Sequence, residues 1–302
     1  AIRITFGRRH GRAFAEVQLG RTRVRAAITS EIVAPFPDRP AEGFLTFNMD
    51  AAQLLENSGG RNGGGAFGGG NTGAGAGGGA GGASADDAAA RRALYLTKVV
   101  ESGIREARAI DTEALCIVAG EKAWSIHCEL HVLDDGGNLT DAASLAAIAA
   151  LRHFRRPEVT VADGKVVEHP LEERVPVPLS VHHTPLSLTF AFLGGDSGGG
   201  VGGTAASASS GSGASGGPTA AAAAAAAVAE SGGGVLVVDP THREEYVARG
   251  SMTVIMNLHG ELCGVHKAGA PGITARRLMH TVKQAKVKIM ALSELLREQL
   301  HD

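Results

Sequence analysis

Apolar and polar residues alternate with period two near the start of the chain, in IRITF, AFAEVQLG, TRVRAAITSEIV and, past the Pro-rich APFPDRP, EGFLTFNMD. Alternation broken by glycine and proline marks half-buried strands joined by turns, so an antiparallel sheet is expected to open the fold. The period changes in SADDAAARRALYLTKVVESGIREARAID. Acids at its start and Leu94, Val99, Val100 and Ile104 at near-helical spacing predict one long amphipathic helix. Strand periodicity returns in ALCIVAG and AWSIHCELHVL, where Trp124, Ile126, Cys128, Leu130 and Val132 share one face and should be core. DAASLAAIAALRHF then predicts a helix crowded with alanine, suited to close packing on a sheet.

A Pro-punctuated passage, EVTVADGKVVEHPLEERVPVPLSVHHTPLSLTFAFLG, predicts linker, hairpin and a further pair of strands. GVLVVDPTHREEYVARGSMTVIMNLHGELCGVHKAG adds strands and turns, with a short acidic connection from Asp239 to Glu245, and Met252 and Met256 as sheet packing. Near the end, Leu278, Val282, Ala285, Ile289, Leu292 and Leu296 recur every three or four residues and predict a long terminal helix. The expected class is α+β: one unit over 1–302 whose sub-halves, about 1–165 and 176–302, loosely echo each other.

Composition divides this picture. Of 43 glycines, 29 fall in segments 58–85 and 194–234, and the remainder carries an ordinary glycine share. Gly, Ala and Ser cannot bury enough apolar surface to offset ordering entropy, so both segments are expected to be disordered inserts dispensable to the fold. A net charge of -2 excludes a global field drawing the chain to nucleic acid or anionic membrane, so any RNA contact must be local. Cys116, Cys128 and Cys263 match no zinc or disulfide framework, which points to a reducing, intracellular compartment. No apolar run reaches membrane-spanning length, and the opening in mid-strand suggests that a native N-terminus is missing.

Candidate chemistry begins at DDGGNLTDAAS. Gly136 and Gly137 before a helix could cradle a phosphate on backbone N–H groups, or could simply make a turn, with Asn138, Thr140 or Asp141 capping the helix. Basic residues form a second lead in Arg21 and Arg23, Arg105 and Arg108, and Arg155 and Arg156. His182 and His183 would point to opposite faces of a strand, which argues against shared metal ligation.

Several pieces together, GRTRVRAAITSEIVAPFPDRPAEGFLTFNMD, the run from Ile110 to Val161, VPVPLSVHHTPLSLTFAF and VVDPTHREE, resemble the RNase PH family as it occurs in the core ring of the eukaryotic RNA exosome. The resemblance implies an RNase PH-like fold of two β-α sub-halves with mixed sheets and packed helices. It also implies a place in a six-membered ring threaded by RNA. Active members hold phosphate at the glycine turn with an arginine; the matching run here is Gly136-Gly137-Asn138-Leu139, and leucine has neither donor nor charge. The family's strand-end aspartate, followed six positions later by an acid, matches Asp239 and Glu245. The structural alternative has Asp239 capping the turn at Pro240, and Glu244 and Glu245 solvated or paired with Arg243 or Arg249.

By the same resemblance Arg105 and Arg108 are the leading expected RNA contacts, and the basic pair Arg21 and Arg23 joins them as a further expected contact. The implied function is a non-catalytic structural and RNA-path subunit, without cofactor or metal, supporting 3′-to-5′ processing and rRNA maturation by associated nucleases. The competing reading is a phosphate-dependent 3′-to-5′ exoribonuclease. Expected partners are the RNase PH-like subunit of the opposite type, other ring subunits, cap subunits and single-stranded RNA, with no membrane. The expected location is nucleus and nucleolus, also cytoplasm.

Overall fold

The computed structural model of the chain describes residues 2–9, 12–50, 85–162, 165–169, 173–194, 234–269 and 272–301. Apart from their terminal residues, the two Gly-rich segments, and the expectations for them, lie outside the described residues.

The first sheet holds β1 (Ile2–Arg9), β2 (Arg12–Leu19), β3 (Thr22–Val33), β4 (Phe44–Asp50), β5 (Cys116–Val118) and β6 (Lys122–Asp134), in the order β1-β2-β3-β6-β4 with β5 against β6. Alternation predicted these strands well but not their pairing. β4 runs parallel to β6, so the sheet is mixed rather than antiparallel throughout. Between them the chain passes through helix α1 (Ala85–Glu101), the kind of crossover that parallel pairing requires.

The helix expected to continue through Ala109 changes from α- to π-type bonding after Glu101 and ends at Glu106. Ser102–Glu106 form a π-type turn, and Arg108 takes a left-handed conformation at φ 52°. A distant strand explains the break: the N–H of His182 donates to Ala109 O at 2.8 Å, and that of Asp111 to Ser180 O at 3.0 Å, drawing Ala109–Ile110 into a bridge with Val181.

Helix α2 (Leu139–His153) is buried on every side from Leu139 to Leu151. A helix buried on every side is mostly apolar all round, and alanines at 142, 143, 146, 147, 149 and 150 let it pack on β2 and β3 on one side and on the second sheet on the other. After the short pair β7 (Arg155–Arg156) and β10 (Val177–Pro178), and the hairpin β8 (Val159–Ala162) with β9 (Lys165–Glu168), that second sheet follows. It contains β11 (Leu186–Gly194), β12 (Gly234–Val238), β13 (Gly250–Met256) and β14 (Leu262–Gly269), ordered β12-β11-β13-β14 and antiparallel throughout. The short acidic connection expected from Asp239 to Glu245 contains a helix, α3 (His242–Val247). Helix α4 (Ala275–His301) buries Ala285, Ile289 and Leu296 against the second sheet. Trp124, Met252 and Met256 are core residues, as the alternation predicted.

Candidate functional site

The turn between β6 and α2 faces the segment from Asp239 to Val247. Gly137 adopts φ 108°, and a Cβ there would lie 2.3 Å from His242 N and 2.6 Å from Pro240 O. Glycine is required because protein backbone, not a ligand, approaches this closely. His242 N donates to Gly136 O at 2.8 Å, while Thr22 Oγ1 accepts from Gly136 N and donates to Gly137 O. The turn is pinned on both sides by its own chain.

Asn138 occupies the helix N-cap position at φ 52° but makes no side-chain cap, contrary to the capping expectation. Its N–H donates to Glu245 Oε1 at 2.7 Å, and its Nδ2 donates to Asp239 Oδ1 at 2.6 Å and to Asp141 Oδ2 at 2.8 Å. Asp141 likewise turns away from the helix start. Its carboxylate accepts from Thr189 N, Thr189 Oγ1 and Ser187 Oγ on β11 at 2.9, 2.8 and 3.0 Å. Leu139 points into the core and is 1% exposed. Asp239, exposed at the end of β12, has φ 56°, and its N–H bonds Thr189 O at 3.3 Å. Glu245 pairs with Arg92 of α1 at 3.3 Å, not with Arg243 or Arg249. Glu244 closes a capping box with Thr241, a pairing legible in the T-x-x-E spacing.

Arg92 also donates to Asp135 Oδ2 at 3.0 Å, and the Asp135 side chain is completely buried. The site therefore joins Asp141, Asp239 and Glu245 around Asn138, with the Arg92 guanidinium bridging Glu245 to Asp135, whose Oδ1 accepts from Gly137 N. Neither Arg92 nor Asp135 stood out in the sequence, because a helix-surface arginine paired far along the chain leaves no local pattern.

Burial pushes the carboxyls of both Asp141 and Glu245 above the usual range, outweighing their hydrogen bonds and, for Glu245, Arg92. A proton held more tightly in the fold than in the unfolded chain stabilises fully below the unfolded pKa, and that stabilisation is lost as pH rises through the folded value. Asp141→Asn is therefore expected to lose less stability than the wild type between about pH 4 and pH 7. Urea unfolding across that window reads the difference, and a variant whose deficit grows with pH would show instead that the donors keep Asp141 ionised.

Arg105 and Arg108 lie elsewhere, on a cleft of about 980 Å³ shared with Phe36, Arg39 and Phe44. Five acids, Asp38, Glu42, Glu106, Asp111 and Glu113, line the same cleft. Arg105 pairs with Glu101 at 2.9 Å, one helical turn away. Arg21 and Arg23 are not brought to this cleft. Phe44 pairs with Ser125 of β6 and Arg23 with Asp134, so a strand of about 30 Å separates the two groups. Arg23 is tied to Glu16, and Arg21 is exposed beside Gly136. Arg155 and Arg156 are half-buried and donate to the carbonyls of Arg152, Phe154 and Ala114, which makes them structural. His182 and His183 follow a bridge rather than occupying a strand, and among the described residues no group of three or more His, Cys, Asp or Glu could hold a metal ion.

Two β-α halves, one with a mixed and one with an antiparallel sheet, around a buried helix, with an acidic strand end facing a glycine turn, define an RNase PH-type architecture. Residues 1–157 match domain 1 and residues 221–288 match domain 2 of the 3′ exoribonuclease family, RNase PH, and the chain belongs to that family. It is 33% identical over 302 residues to Exosome complex component RRP45B of Arabidopsis thaliana, covering 99% of this chain and 54% of that protein. Against RRP45A of the same plant it is 33% identical over 300 residues, covering 98% and 77%. The chain thus spans about half the length of some curated relatives. The fold also matches a solved Archaeoglobus fulgidus exosome with RNA bound to the active site, with a TM-score of 0.63, 22% identity, and 99% and 88% of the two chains covered.

Proposed function

We propose that this chain is a non-catalytic ring subunit of an RNA exosome core, paired with an RNase PH-like subunit of the opposite type and supporting cap subunits. Its work is to hold the ring together and guide single-stranded RNA toward associated nucleases in nucleus, nucleolus and cytoplasm. Similarity to RRP45 proteins supports the assignment. The observation that carries the absence of catalysis is the occupied turn. The Asn138 amide, where a phosphate would be held, already binds Glu245, and Leu139 supplies no guanidinium. The purified chain, alone and with ring partners, should release no nucleoside diphosphates from single-stranded RNA in inorganic phosphate. Phosphate-dependent release that disappears in Asp239→Asn would establish the competing exoribonuclease reading.

Arg105 and Arg108 are the proposed RNA contacts, since both are exposed on the cleft. Replacing both with Glu should weaken RNA binding by the assembled ring about tenfold and lower the salt dependence by roughly the contribution of two phosphate contacts. Unchanged RNA protection would remove these residues from the path.

A further inference from the structure

The cleft holding Arg105 and Arg108 contains more than cations, and its other residues suit the bases of RNA rather than its phosphates. Phe36 is 60% exposed, far more than burial would leave a phenyl ring. It is nevertheless held firmly. Pro35 and Pro37 flank it and restrict its backbone, its carbonyl accepts from Arg39 N at 3.0 Å, and its ring meets Phe44 edge-on, with centroids 4.8 Å apart at 86°. One face of a rigid aromatic ring is thus presented to a space of about 980 Å³. A cleft of that size takes a ligand larger than one nucleotide.

The acids then become informative. Glu42 is engaged by Arg39 at 3.4 Å, and Asp111 accepts the N–H groups of Glu113 and Ala114. The carboxylates of Asp38 and Glu113 have no hydrogen bond or ion pair among the described residues. Free carboxylates would repel a phosphate but accept hydrogen bonds from the exocyclic amino groups of cytosine and adenine; uracil carries no such group.

We infer that this cleft is a base-reading subsite for single-stranded RNA. Phe36 stacks a nucleobase, Asp38 and Glu113 favour amino-bearing bases over uracil, and Arg105 and Arg108 hold the adjoining phosphates. The inference rests on the RNA-path reading above and adds a base preference to it.

The test measures fluorescence anisotropy of the full chain with oligo(C), oligo(A) and oligo(U) of equal length at fixed salt. Oligo(C) and oligo(A) should bind several-fold more tightly than oligo(U). Phe36→Leu should weaken all three about tenfold, as expected for loss of one stacked base, while Phe36→Trp retains binding. Asp38→Ala with Glu113→Ala should remove the preference, chiefly by bringing oligo(U) affinity up toward that of oligo(C) and oligo(A) as the repulsion of phosphate is relieved. If charge reversal of Arg105 and Arg108 weakens RNA binding but Phe36→Leu does not, the base platform is wrong and the RNA path stands. Should no oligonucleotide respond to any of these changes, while an arginine-bearing peptide binds and is lost with Asp38→Asn, the cleft is a protein-docking site and both readings fall.

Discussion

Arg92→Met is expected to lower the melting temperature by roughly 6–20 °C, the result of leaving two carboxylates without their cation, a loss of about 3–5 kcal/mol in a chain of this size. The Arg92 side chain is 22% exposed, but its partners are more deeply set: Asp135 is 0% exposed and Glu245 14%. Their desolvation was offset by a forked guanidinium reaching both at once, and methionine offers neither charge nor donor. Arg92→Lys should fall between the two, since one ammonium on a flexible stem cannot span both carboxylates as a planar fork does. Differential scanning fluorimetry of the three proteins decides the matter. A methionine variant melting within about 2 °C of the wild type would mean that solvent already compensates both acids.

The importance of Arg92 illustrates where sequence reasoning stops. Alternation located β1 to β4 within a few residues, because one face of β1, β2 and β3 packs on α2, and one face of β4 on α1, while the other does not. The same alternation could not say that β4 runs parallel to β6, since period two fixes a strand's face and not its partner. The early end of α1 was equally hidden: it follows from hydrogen bonds to Ser180 and His182, about seventy positions away in the chain. At the site, family resemblance singled out Asp239, Glu245 and the glycine turn. Their arrangement depends on pairs such as Arg92 with Glu245, separated by 153 positions, which leave no periodic trace.

Leu139→Arg provides the sharpest test of the proposal that the site lacks catalysis. If the proposed lack of phosphate binding came only from leucine standing at this position, an arginine there should begin to confer activity. The geometry predicts otherwise. Leu139 opens α2 with its side chain packed in the core at 1% exposure, so a guanidinium there begins buried and unpaired. The expected result is a loss of several kcal/mol, read as a fall of about 10 °C or more in melting temperature, with no phosphate-dependent release of nucleoside diphosphates. Combining Leu139→Arg with Glu245→Gln would not open the turn either, because Gly137 remains packed against Pro240 and His242. A folded Leu139→Arg protein that released nucleoside diphosphates would show that the arginine alone had been lost and that the closed turn yields to phosphate. Failure of both variants with the fold intact would support the proposed lack of catalysis as a property of the whole strand-to-helix turn, whose backbone is committed to the acidic segment opposite.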